Sequence, residues 1–418
     1  MAAPARASDQ TSVRVSPAVG RPPSPERLPV EGVLPADLDG WFLQAFPHPL
    51  CAGRPDGRSV LSGVRVSGGS ALLHRVRATA RQETPLGPVP ALAPPIRLAS
   101  TKAPAPCSPG HVTLARPVCD PATGEWHTVA AYPGLGHVEH LVTGSGGTVS
   151  HARPFALDGA PLMHATALTE RYVVVFDLPV VYSRAAELVG ARLPYAWRPD
   201  RRARLGLLPR DGAAEPRWFQ IGPCYVFQAV NAYEEGGRVV VDAVRHPRAF
   251  DAAPGDAVPD GAPPGFGARP YLCRWTLDLT TGTVGERALA PAWETALVDE
   301  GVLGRRHRYV FGSRDLNTGT TLFRRDLVTG GVHGYELGAG IRAGHPVFVP
   351  RPVGSAREGH EGDGWIVVLS HDAAGRRSEL LVFDALDLAG GPYATVRVPR
   401  PPLACATPAS GRATWLPA

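Results

Sequence analysis

The residue best placed to do chemistry in this chain is His164, which opens the stretch LMHATALTERYVVVFDLPVVYS running Leu162–Ser183. An imidazole can ligate a transition metal, or titrate near neutrality as a general acid or base. Either use needs rigid backbone beneath it, and the following text supplies it. Tyr172 to Phe176 is a run of aromatic and β-branched residues that Asp177-Leu-Pro179 breaks, so His164 is expected at the mouth of a β-hairpin, one arm before the strand.

Other reactive types give weaker signals. In His137-Val-Glu-His140 the two imidazoles are three residues apart, which on a strand puts them on opposite faces. Schiff-base chemistry would depend on Lys102 alone, the single lysine, in a proline-rich loop. The six cysteines (Cys51, Cys107, Cys119, Cys224, Cys273 and Cys405) form no C-x-x-C pair and no zinc spacing. Gly338-Ala-Gly340 has no βαβ pattern around it, so a dinucleotide loop is set aside.

The elements that must position His164 are strands. With 47 glycines and 45 prolines in 418 residues, the composition suits many short strands joined by tight turns. Strand text comes in pairs, as in Arg238–Val244, Tyr271–Leu279 with Gly285–Leu289, His307–Gly312 with Thr320–Leu327, and Gly364–Ser370 with Glu379–Ala385. Turn signals such as Glu235-Gly-Gly237 and Thr329-Gly-Gly331 separate them. Four-stranded sheets set radially make a β-propeller, which protects sheet edges by repetition.

Residues 1–24, rich in Ala, Pro, Ser and Arg, are expected to be a disordered tail, and residues 25–418 one domain. No apolar signal-peptide core or membrane-length run is present, so a cytoplasmic protein is expected. The net charge of +5 is scattered rather than clustered, which argues against a nucleic-acid partner and leaves peripheral contact with an anionic membrane surface open.

The order Met-His, short β segment, Thr-Glu-Arg-Tyr, apolar strand, Asp-Leu-Pro resembles a motif of the carotenoid cleavage oxygenases (the retinal pigment epithelial membrane protein family). Further text follows in that family's order. It comprises Leu28–Gly40, Asp120–Glu125, Arg204–Arg210, Asn231-Ala-Tyr-Glu-Glu235, Arg274–Leu279, Gly304–Tyr309, Pro346–Pro352 and Asp363-Gly-Trp365. The resemblance, from about residue 28 to the end, implies an all-β, seven-bladed β-propeller. It also implies a non-haem Fe(II) held on the axis by four histidines, acting in oxidative cleavage of C=C bonds.

Here the ligand set is incomplete. His164 matches the second family histidine; Arg116 stands where the first is expected, before Pro117-Val-Cys-Asp-Pro, and Gln228 where the third precedes the Asn231 motif. Near the fourth, the text reads Leu403-Ala-Cys-Ala-Thr407, and no histidine follows His371. Glu294 matches a supporting carboxylate of the family, while His345 replaces another and is a candidate substitute ligand. Compression between about Ser100 and Val112 leaves the first blades open to irregularity.

An arginine on the axis would repel a metal and a glutamine is a poorer Fe(II) ligand than an imidazole. The expectation is therefore a protein with no cofactor that binds an apolar isoprenoid or aromatic small molecule without iron-dependent cleavage. Two enzymatic alternatives stand beside it. One is a metal-independent isomerase or cyclase using His164, Glu294 and Arg116; the other is an Fe(II) carotenoid or apocarotenoid dioxygenase with an atypical ligand set. A purely structural partner subunit is a further class.

Overall fold

A computed structural model describes residues 25–46, 59–78, 113–133, 137–144, 148–191, 194–212, 214–249, 269–316, 318–352, 360–372, 377–399 and 413–417. The expected tail at 1–24, Lys102, and the fourth ligand position near Leu403–Thr407 lie outside these residues.

The described residues are almost all strand, and their arrangement is a β-propeller. They build six sheets of four to six strands and one two-stranded ribbon, Val180–Tyr182 with Tyr195–Trp197. Residues 79–112, between the first and second sheets in chain order, lie outside the described set, so the count of seven blades remains an expectation. In the three middle sheets the chain runs from the axis outward, each strand pairing antiparallel with the next. Thr166–Leu168, Tyr225–Glu235 and Thr295–Leu297 are their innermost strands. These three pack side by side around the axis. The expected hairpin strand forms as Tyr172–Asp177, paired to Thr166–Leu168. Its Val173, Val174 and Val175 are buried because β-branched side chains pack on both faces of a blade sandwiched between neighbours.

The two chain ends are exchanged. Val30–Gly32 adds the outer strand to the sheet of Ala394–Val398, Ser378–Asp384 and Gly364–Asp372, while Ala413–Pro417 supplies the inner strand of the N-terminal sheet beside Gly40–Phe46. Each terminus thus completes a sheet begun by the other end of the chain, leaving no unpaired inner edge there.

The irregularity expected of the first blades is found in the second sheet. Its inner edge is two short strands, Thr113–Leu114 and Val118–Cys119, both paired to Trp126–Tyr132. Pro117 has no N–H for the ladder, and the Arg116 N–H instead donates to the His164 carbonyl of the next sheet at 2.8 Å. The same device recurs in the sixth sheet, where His345-Pro346 interrupts Ile341–Ala343 and Val347–Pro350 against a single partner strand, Gly364–Asp372. Close approach to the inner strands is secured by small residues. At Gly312, paired opposite Ala296, a Cβ would strike the Thr295 carbonyl.

Candidate functional site

The inner strands enclose an axial cavity of about 670 Å³. Its wall comes from residues 116–119, 165–168, 228–231, 295–298, 346–352 and 413–417, one segment from each of the six sheets. Most of that wall is apolar, with Leu168, Val230, Leu297, Val347, Phe348 and Trp415 among its members. Arg116, Gln228 and His345 all line it, so three of the positions singled out in the sequence converge although 229 residues separate the first from the last.

Each is aimed by a local break in strand regularity. Arg116 and His345 precede prolines, a position biased towards extended backbone, at the two interruptions described above. Gln228 sits in a bulge, where the ladder to Arg238–His246 skips from Val226 to Ala229. Its Nε2 donates to the Ala296 carbonyl at 2.8 Å, and its Oε1 remains available as an acceptor. The bulge also releases the Phe227 carbonyl, which accepts a hydrogen bond from His164 Nδ1 at 2.6 Å. A carbonyl can only accept, so neutral His164 carries its proton on Nδ1 and its lone pair on Nε2.

His164 is not itself part of the cavity wall. Its ring stands edge-on to Phe227, with centroids 5.3 Å apart, and Phe227 stands edge-on to His246 at 4.8 Å. Burial, and secondarily the charge of a protonated His164, pull His246 down to about 4. His246 was not picked out from the sequence; the only cue was its place at the end of the long strand Arg238–His246. Glu294 is also outside the cavity wall. Burial and the nearby Asp315 push its carboxyl up, against the opposing pull of Arg269 and Arg342. The three residues considered for catalysis therefore fall in adjoining but separate places, with Arg116 alone of them on the cavity.

Arg116 keeps partial exposure because it opens on the cavity. Burial lowers its pKa, and the Glu300 carboxylate raises it, but a guanidinium remains a cation throughout the ordinary pH range. Cys119 beside it is pushed up by burial, then by Glu300 and Asp120, so the thiol stays protonated. These donors do not suit Fe(II). Arg116 has no lone pair to give, Gln228 offers one amide oxygen, and His345 and His164 bring one imidazole each, His164 from outside the cavity wall. Among the described residues no three His, Cys, Asp or Glu side chains stand close enough together to hold a metal ion.

Several quoted motifs serve to lock blades together. Asp242, fully buried, accepts from Arg274 Nε and Nη2 at 2.8 and 2.7 Å, and its carboxylate lies 3.0 Å from His307 Nε2. His307 Nδ1 meets Asn231 Nδ2 at 3.0 Å, and Asn231 Nδ2 donates to the Arg305 carbonyl at 2.9 Å. Arg351 joins Asp37, Asp363 and Asp384 at 2.8 to 3.0 Å and stacks over Trp365. Asn231, Arg274, His307, Asp363 and Trp365 thus owe their places to inter-strand bonding.

Among the described residues no helix is long and apolar enough to cross a membrane. The profile of the retinal pigment epithelial membrane protein family matches residues 95–403. A carotenoid cleavage oxygenase of Mycobacterium tuberculosis (strain CDC 1551 / Oshkosh) is 34% identical over 340 residues, 68% of this chain and 65% of that protein. A carotenoid 9,10(9',10')-cleavage dioxygenase 1 of Pisum sativum is 30% identical over 70% of this chain and 56% of its own length. The chain thus spans less than two thirds of the length of these curated relatives. The crystal structure of the Pseudomonas brassicacearum lignostilbene dioxygenase superposes with a TM-score of 0.74 over 100% of both chains at 23% identity. Motif order, propeller architecture and family profile agree, and the chain belongs to the retinal pigment epithelial membrane protein, or carotenoid oxygenase, family.

Proposed function

We propose that this protein binds an apolar small molecule, isoprenoid or aromatic, in the axial cavity and does not cleave it by iron-dependent oxidation. The observation that carries the proposal is Arg116 on the cavity wall, where the motif resemblance would expect the first family histidine. The cavity has the size and apolar lining of a small-molecule site. The relatives are named for carotenoid cleavage and the structural neighbour for lignostilbene, which supports the ligand class. A single cytoplasmic propeller domain from residue 25 onward belongs to the same proposal.

A second reading, a metal-independent isomerase or cyclase, draws support from His164, whose Nδ1–H is fixed by the Phe227 carbonyl so that Nε2 is the basic nitrogen. One experiment separates the readings. The protein is reconstituted anaerobically with Fe(II), desalted, assayed for iron and titrated with β-carotene, retinal and a hydroxystilbene while products are followed. Substoichiometric iron with saturable binding and no product supports the binder. Near one iron per chain overturns it. Turnover without iron that is abolished by His164→Ala establishes the second reading instead.

A further inference from the structure

Arg116 differs from the other charged groups of the cavity. Arg351, also on the cavity wall, is held by Asp37, Asp363 and Asp384. Asp37 is answered by Arg351, and Asp39 pairs with Arg65. Glu300, whose charge reaches Arg116, is exposed to solvent. Among the described residues Arg116 itself makes no side-chain hydrogen bond and no ion pair. A half-buried guanidinium that opens on a mainly apolar cavity, with no hydrogen bond or ion pair among the described residues, is placed to be answered by a ligand.

The surroundings narrow what that partner is. The wall around Arg116 is mainly apolar (Val118, Ala165, Ala167, Leu168), and the neighbouring Cys119 thiol is uncharged. An apolar ligand alone would bury the guanidinium further without satisfying it. A ligand with one anionic end and an apolar body satisfies both halves of the site. The planar fork of an arginine matches a carboxylate in two parallel hydrogen bonds. The Glu300 charge opposes a second anion, but it acts from the exposed rim, where water and salt weaken it relative to direct contact.

We propose that the axial cavity is a binding site for apolar carboxylic acids, with Arg116 anchoring the carboxylate. The proposal rests on the reading of this cavity as the ligand site. Gln228 fits the arrangement, since its Nε2 donates to the Ala296 carbonyl and Oε1 can accept from a protonated group on the ligand. The same residue that spoils an iron site then sets the polarity of the ligand.

Matched probes test this. All-trans-retinoic acid, methyl retinoate and retinol, with stilbene-4-carboxylic acid and its methyl ester, are titrated by quenching of tryptophan fluorescence, since Trp126 and Trp415 line the cavity. Each acid is expected to bind at least ~30-fold more tightly than its ester, the scale of charge-assisted hydrogen bonds lost. In Arg116→Gln the preference should fall to within about threefold while ester affinity is kept; Arg116→Lys should keep part of it. Equal binding of acid and ester by the wild type, or an acid preference that survives in folded Arg116→Gln, overturns the proposal and leaves the cavity reading standing. Failure of all five probes to bind the wild type overturns both. Should Arg116→Gln not fold, the wild-type ratio and Arg116→Lys decide.

Discussion

At the scale of single residues, the chain separates groups that serve the cavity from groups that hold the blades. Asp242 belongs to the second kind. Burial pushes its carboxyl up, but hydrogen bonds from Arg274 and His307, with their charges, outweigh this and hold it below the ordinary aspartate range. Asp242→Ala would leave Arg274 and His307 facing each other without their anion, and should destabilise the fold by about 3–5 kcal/mol. Urea unfolding at neutral pH measures this, and a loss under ~1 kcal/mol would show that the network is not what holds these strands. The sign of the pH dependence follows from the depressed carboxyl. Its stabilisation is complete above the unfolded-state pKa and is lost as pH falls through the lower, folded one. Arg116 is the counter-example, a charge on the cavity wall with no ion pair among the described residues.

At the scale of elements, the contact between the second and third sheets has its own titration. His127 and His140, on adjacent strands, are stacked with Nδ1 and Nε2 3.0 Å apart, and Arg210 of the third sheet reaches Asp120 of the second. Burial first, then neighbouring positive charge, draws His127 down to about 4, and His140 lower still, to about 3. Both imidazoles are neutral in the folded state at pH 5, while in the unfolded chain, with pKa near ~6.5, they take up protons. Unfolding therefore binds protons, so the stability present above pH ~6.5 falls as pH drops towards 4. The melting temperature should decline over that interval, and His140→Gln should flatten the decline even if it lowers stability at pH 7. An unchanged slope in the variant would remove the histidine pair as its cause.

At the scale of the whole molecule, exchange of the chain ends should make the propeller unfold as a single cooperative body. Deleting 413–418 removes the inner strand beside Gly40–Phe46 and a wall of the cavity, including Trp415. The truncated protein should lose cooperative unfolding and probe binding together, as seen in thermal melts and fluorescence titration. Retention of a sharp melt would show that the N-terminal sheet stands without its partner. Limited proteolysis of the full chain should yield one large core rather than two comparable fragments, as expected of a domain whose first and last strands share sheets.

Much of this was legible in the sequence because it is local. Alternation and turn residues marked Arg238–His246, Tyr271–Asp278 and Gly364–Asp372 to within two residues, and Asp177-Leu-Pro179 closed its strand where expected. Motif order gave the family, and it brought Arg116, Gln228 and His345 to notice as departures. What remained hidden depends on direction and distance between segments far apart in the chain. No spacing could show that Arg116 and His345 face one cavity while His164 and Glu294 stand outside its wall, or that His246 lies across Phe227 from His164. Nor could it show that Asn231 and His307 meet each other and join a network with Asp242 and the Arg305 carbonyl. Strand type follows from the side chains of a few consecutive residues, whereas the aim of a side chain at the propeller axis is set by bulges, prolines and the packing of one blade against the next.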